Sequence, residues 1–159
     1  MRFVGTILLA AALSYHFLSS YAKEEKAFRE TRGFLLLLRH IRAEIAGLST
    51  PLPDIIAKFD NEALQKCGFL AAANEKELAD ALVASRAESA LPDKLYSELL
   101  TYFSSFGKSF RTEELSRCDS VTASLEEAVR EMEAALPKKR RLSRAYALTG
   151  SLFLLLIFL

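Results

Sequence analysis

Hydrophobic positions along the chain follow two patterns. At the ends they are continuous: Phe3 to Ala22 is a run of twenty residues without a formal charge, and Ala145 to Leu159 is fifteen more, rich in Leu and Phe. Between the ends they recur at helical spacing, and no sustained alternation or β-branched run suggests a strand. Phe34, Leu38, Ile41, Ile45 and Leu48 are separated by 4, 3, 4 and 3 residues, with Leu35, Leu36 and Leu37 widening the stripe. The start of this helix is therefore expected to be buried on several sides. Gly47 is expected to close it in a left-handed cap, and Pro51 and Pro53 forbid its continuation. A second helix is expected from about Pro53 or Asp54, with Ile55, Ile56 and Phe59 inward and the Thr50-Pro51-Leu52-Pro53 turn making the two helices antiparallel neighbours.

A weaker helix is predicted over Asn74 to Ser89, with Leu78, Leu82 and Val83 inward. Pro92 suits a first helical turn, and Leu95, Leu99, Tyr102, Phe103 and Phe106 line one side of the helix that follows, which Gly107 ends. The last helix carries Leu115, Cys118, Thr122, Leu125, Val129, Met132 and Leu136 at alternating spacings of 3 and 4. Thr112 is the expected N-cap, with Glu113 and Glu114 favouring the positive helix start. Such a seam serves packing inside one bundle or a coiled coil with a second chain, so a homo-oligomer stays open. Pro137 is expected to kink or break this helix and act as a hinge.

About twenty apolar residues span a hydrocarbon core of about 30 Å. Phe3–Ala22 meets that length; His16 inside it is expected to stay neutral. Ala145–Leu159 is short, and extends by snorkelling of its basic flank. The expected fold is therefore all-α: a membrane-anchored helical bundle with an N-terminal and a C-terminal transmembrane segment. Its parts are an N-terminal transmembrane helix (1–22), a helical bundle (23–136), a basic juxtamembrane hinge (137–144) and a C-terminal membrane segment (145–159). The rival reading is a cleaved signal peptide, since Arg2, the apolar run and Ser20-Tyr21-Ala22 fit one. It would leave an extracytoplasmic binding module held by its C-terminal anchor.

Charge separates these readings. The net charge of +1 hides a segregation: Lys23 to Arg42 holds six basic and three acidic residues, Ala43 to Leu136 nine and seventeen, and Pro137 to Arg144 five and none. Lys138, Lys139, Arg140, Arg141 and Arg144 sit where anionic lipid headgroups would lie, so membrane lipids are an expected partner. Both basic flanks lie on the bundle side of their apolar runs, which puts the bundle in the cytoplasm. The acidic body argues against nucleic acid. Cys67 and Cys118 form no metal-ligand spacing with His16 or His40 and are expected to be buried free thiols. No P-loop, GxSxG, HExxH or GxGxxG is present. The carboxylate pairs Glu24/Glu25, Glu113/Glu114 and Glu126/Glu127 are expected on solvated faces. No catalytic, cofactor or metal site is expected.

Particular residues also match a known family. Gly5 lies in the first apolar run, Glu44-Ile45 precede Thr50-Pro51-Leu52-Pro53-Asp54, and Phe106-Gly107 close an aromatic-rich helix. A long charged helix then ends in a basic cluster, followed by Tyr146, Gly150 and a Leu-rich tail. In these features the chain resembles stage III sporulation protein AB of endospore-forming bacteria. The resemblance implies a non-enzymatic platform subunit of the secretion-like complex joining mother cell and forespore. Its bundle would be similar to the cytoplasmic domain of the type II secretion F platform protein and would lie on the mother-cell side. Implied partners are the stage III sporulation ATPase and other stage III membrane proteins. Glu44, Thr50, Pro51, Leu52 and Pro53 are the candidate contact or packing residues; a rigid interhelix turn accounts for them equally well.

Overall fold

The computed structural model describes the backbone of residues 2–47 and 51–158, with the side chains of residues 19–47 and 51–142. Over these the chain forms α1 (Arg2–Gly47), α2 (Leu52–Lys58), α3 (Glu62–Lys66), α4 (Phe69–Ala73), α5 (Leu78–Ala84), α6 (Asp93–Ser105) and α7 (Arg111–Phe158). No strand occurs among the described residues. The chain divides into two units, Lys26–Glu131 and the pair of segments Met1–Glu25 with Met132–Leu159.

In the larger unit, the apolar stripe of α1 is the spine of the core. Phe34, Leu37, Leu38 and Ile41 are fully buried, each stabilising the fold by about 1.5–3 kcal/mol relative to exposure. Phe34 meets Phe69 of α4 edge-on at 4.9 Å, and Phe69 stacks on Phe103 of α6 at 6.0 Å. These rings join the first helix to the centre of the bundle. The stripe is narrower than the run of leucines suggests. Leu36 is 40% exposed, because four consecutive positions about 100° apart point to nearly every side of the helix and one must face outward.

The polar face of α1 fixes its partner. Arg42 pairs with Asp119 and Arg39 with Glu126, at 2.8 Å in the second case, while Arg111 donates to the Ala46 carbonyl. As α1 residues descend, their α7 partners ascend, so the two helices run antiparallel. The bidentate Arg42 guanidinium holds the Asp119 carboxyl below the usual carboxylate range, first through its hydrogen bonds. The middle of the α7 seam faces the core: Cys118, Thr122 and Leu125 are buried, and Leu115 and Val129 half-buried. The seam thus packs within its own bundle.

Several local expectations are corrected. α1 does end at Gly47, but the described positive-φ glycines are Gly68 and Gly107, so Gly47 is not a left-handed cap. α2 begins at Leu52 and buries Ile55 and Ile56. Val83 of α5 is 54% exposed, not inward, because α5 stops at Ala84 and turns Leu78, Ala81 and Leu82 to the core instead. α7 starts at Arg111, one residue before Thr112, so Thr112 is not its N-cap. It also continues through Pro137 rather than breaking there. α6 follows Pro92 and stops before Gly107, whose φ of +74° reverses the chain into α7.

The short α3 and α4 lie where no helix was predicted. Asn61 caps α3, its side chain accepting from the Ala63 and Leu64 amides at 3.1 Å each. Gly68, at φ +78°, turns the chain into α4. Gly33 of α1 lets α3 come close: a Cβ there would lie 2.8 Å from Asn61 Oδ1 and 3.0 Å from Leu64 Cγ.

In the smaller unit, Lys139 Nζ of α7 lies 2.6 Å from Glu24 Oε1 of α1. Lys138, Arg140, Arg141 and Leu142 are exposed. Among the described residues no helix is long and apolar enough to cross a membrane. Phe3 to Leu18 and Ala145 to Leu159, with His16 and Arg144, lie outside the residues whose side chains are described.

Candidate functional site

The proline turn is built by backbone rules. Pro51 (φ −59°, ψ 141°) is the N-cap of α2, and its carbonyl accepts from the Asp54 and Ile55 amides at 3.0 and 3.2 Å. Pro53 occupies the first turn, where a missing N–H costs nothing, and Asp54 sits at the positive helix start. Ile55 and Ile56 pin the turn to the core, leaving Pro51 and Pro53 exposed and Leu52 half-buried. Thr50 lies outside the described residues. Glu44, half-buried on the last turns of α1, is engaged by other groups. Arg111 reaches the Ala46 carbonyl, placing a cation at the negative end of α1. The corner therefore gathers the end of α1 and the starts of α2 and α7. It presents two exposed prolines, and Phe110, next to Arg111 in the chain, is 86% exposed.

Two buried carboxylates escaped the sequence reading. Glu30 is 1% exposed on α1. Its Oε2 accepts from Ser89 Oγ at 2.7 Å and from the Ala90 amide at 2.8 Å, while Oε1 faces Lys26 Nζ at 3.9 Å. Lys26 in turn donates to the Glu88 carbonyl. Glu30 thereby ties the loop ahead of α6 to α1. On the other side of that loop, Arg86 donates to the Leu91 carbonyl at 2.8 Å, pairs with Asp93 and lies 4.5 Å over the Tyr96 ring. Glu30 was legible in principle: it stands four residues before Phe34, in line with the buried stripe.

The second is Glu114, which contradicts the solvated-face expectation for Glu113/Glu114. It is 5% exposed, and neither of its oxygens has a hydrogen-bond partner among the described residues. Tyr102 lies against it, with Cys118 one turn further along α7. Burial, with Cys118 and Glu114 close by, pushes the Tyr102 hydroxyl well above its usual range. Burial likewise raises the Cys118 thiol, whose Sγ lies 3.5 Å from the Leu38 carbonyl oxygen. Glu114 precedes Cys118 by four residues, so it extends the seam by one turn in place of Leu115.

Chemistry is sparse. Both cysteines are free and buried, as expected. His40 is half-buried against Phe59, with ring centroids 5.6 Å apart. Among the described residues no three His, Cys, Asp or Glu side chains converge to hold a metal ion. The geometry offers shaped corners and charged strips.

Compared with known proteins, the chain matches the family model for stage III sporulation protein AB over residues 2–159. No curated protein and no solved structure matches it.

Proposed function

We propose, because the chain belongs to the stage III sporulation protein AB family, that it is a membrane-tethered platform subunit of the secretion-like complex between mother cell and forespore. Membership makes it a sporulation protein; tethering, platform role and partners are our reading. The observation that carries it is the charge layout: an acidic helical body between two basic flanks, each followed outward by an uncharged apolar run. That layout favours a cytoplasmic bundle anchored at both ends, with Lys138, Lys139, Arg140, Arg141 and Arg144 at anionic headgroups. The partners we assign are the stage III sporulation ATPase and other stage III membrane proteins. The proline corner is the contact candidate, since rigid exposed prolines and the exposed Phe110 ring lose little entropy on docking. The protein works by holding partners rather than by catalysis.

The test is co-purification of the full chain with the ATPase from membranes that also contain the other stage III proteins. Pro51→Ser with Phe110→Ser is expected to weaken recovery by about tenfold while leaving the helical circular dichroism unchanged. Failure of the unaltered chain to recover the ATPase would remove the platform role.

A further inference from the structure

Most charged side chains of the larger unit are used inside it. Arg39, Arg42, Lys66, Arg86 and Arg117 are each in an ion pair. Two exposed apolar side chains stand beside charges that are not so used. On α1, Leu36 is 40% exposed one turn after Arg32, which has no ion pair among the described residues. On α5, Val83 is 54% exposed one turn after Asp80, and neither Asp80 nor the neighbouring Glu75 and Glu77 has an ion pair among the described residues. At i, i+4 and i, i+3 spacing, charge and aliphatic group lie on one helix face in each case.

The two patches complement each other. Leu36 borders a groove of about 270 Å³ between α1 and α3, floored by Phe28, Gly33 and Ala63 and rimmed by Arg32 and Lys66. The one carboxylate in the groove, Glu62, is already neutralised: Lys66 lies 2.6 Å away and, with help from Arg29, holds its carboxyl below the usual range. The rim is therefore net positive, and the groove is apolar enough to take a branched aliphatic. Asp80 with Val83 presents the opposite charge and such an aliphatic group. The coiled-coil route to a second chain is closed in the middle of α7, since Cys118, Thr122 and Leu125 are consumed by the bundle itself.

We infer that the protein self-associates by seating Val83 and Asp80 of one copy against Leu36 and Arg32 of another. Asp80 meets Arg32 at the rim while Val83 and Leu36 exclude water between them. Because the contact joins two different patches, its rotation decides whether copies close as a two-fold pair or a ring or continue as an open filament. Rim charges chiefly set the rate and specificity of such an encounter. Tethering to one surface would raise the effective concentration, but the contact does not depend on that placement.

The test uses the full chain in detergent. Leu36→Cys and Val83→Cys chains are prepared separately and mixed with a short bis-maleimide; the native cysteines, 1% and 0% exposed, compete little. The mixture is expected to cross-link about tenfold faster than either chain alone, and Arg32→Glu in the Leu36→Cys chain to slow it about tenfold. Asp80→Arg in the Val83→Cys chain is expected to restore the rate. Circular dichroism and thermal melting show whether each variant is folded. Cross-linking as fast within one variant as in the mixture, or no rescue by the reversed pair in folded chains, would overturn the contact. A folded full chain that sediments as a monomer at every attainable concentration would overturn it too.

Discussion

Gly33 shows how much one position controls. Its missing Cβ lets α1 lie against Asn61 and Leu64, and Asn61 is not free to retreat because two α3 amides bond its oxygen. Gly33→Ala is expected to destabilise the fold by about 1–3 kcal/mol despite its gain in helix propensity, measured by urea unfolding. The buried hydroxyl and thiols set a pH limit. Cys67, Cys118 and Tyr102 all have raised pKa values in the fold, burial being the largest cause. Each then holds its proton in the native state where the unfolded chain loses it, so stability is full below the unfolded values. It is expected to fall as pH rises from about 8.5, seen as a declining thermal midpoint. In sequence, the buried cysteines were readable because nothing paired with them. Glu114 was not, and Glu30 was only through its place four residues before Phe34, because a charge at a stripe position reads as the edge of the stripe. Only the loop and ring that meet them in space reveal their burial.

At the scale of the element, long periodic segments were readable and short ones were not. The stripe of α1 and the seam of α7 extend over several turns, so most of their inward positions follow from spacing, and Gly47 with the prolines after it marks the end of α1. α3 and α4 have five residues each, too few to show a period. Their existence rests on the Asn61 cap, the Gly68 turn and the ring of Phe69 against Phe34. Val83 and Leu36 were misplaced for a related reason: an apolar residue next to a stripe is inward only if its helix continues and has a neighbour on that side. Pro137 illustrates a local rule overridden by the rest of its helix. It removes one donor, leaving the Glu133 carbonyl without its helical partner, yet α7 carries on to Phe158. Interior proline disfavours a helix by about 3 kcal/mol relative to alanine. Pro137→Ala is therefore expected to raise helicity and thermal stability. If the residue serves as a hinge, the same variant will reduce sporulation; unchanged sporulation in a stabilised chain would assign it no mechanical role.

For the whole molecule, fold class and family were legible before any coordinates: helical spacing gave an all-α bundle, and Glu44-Ile45 with Thr50 to Asp54 and Phe106-Gly107 pointed to the family. The corner's shape was not, since it depends on Arg111 arriving from α7 to meet the end of α1. The proposed platform role requires one sidedness, with the two basic flanks holding the acidic bundle on the cytoplasmic face. Cys67 and Cys118 are too buried to report it directly, so a cysteine at the exposed Ser116 of α7 serves instead. The decisive measurement is labelling of Ser116→Cys by a membrane-impermeant maleimide in sporulating cells, with the amino terminus of the recovered chain read in the same sample. Labelling is expected only after the membrane is permeabilised, on a chain still carrying residues 1–22. Labelling in intact cells, with a mature chain beginning at Lys23, would contradict it and make this an extracytoplasmic module on a C-terminal anchor.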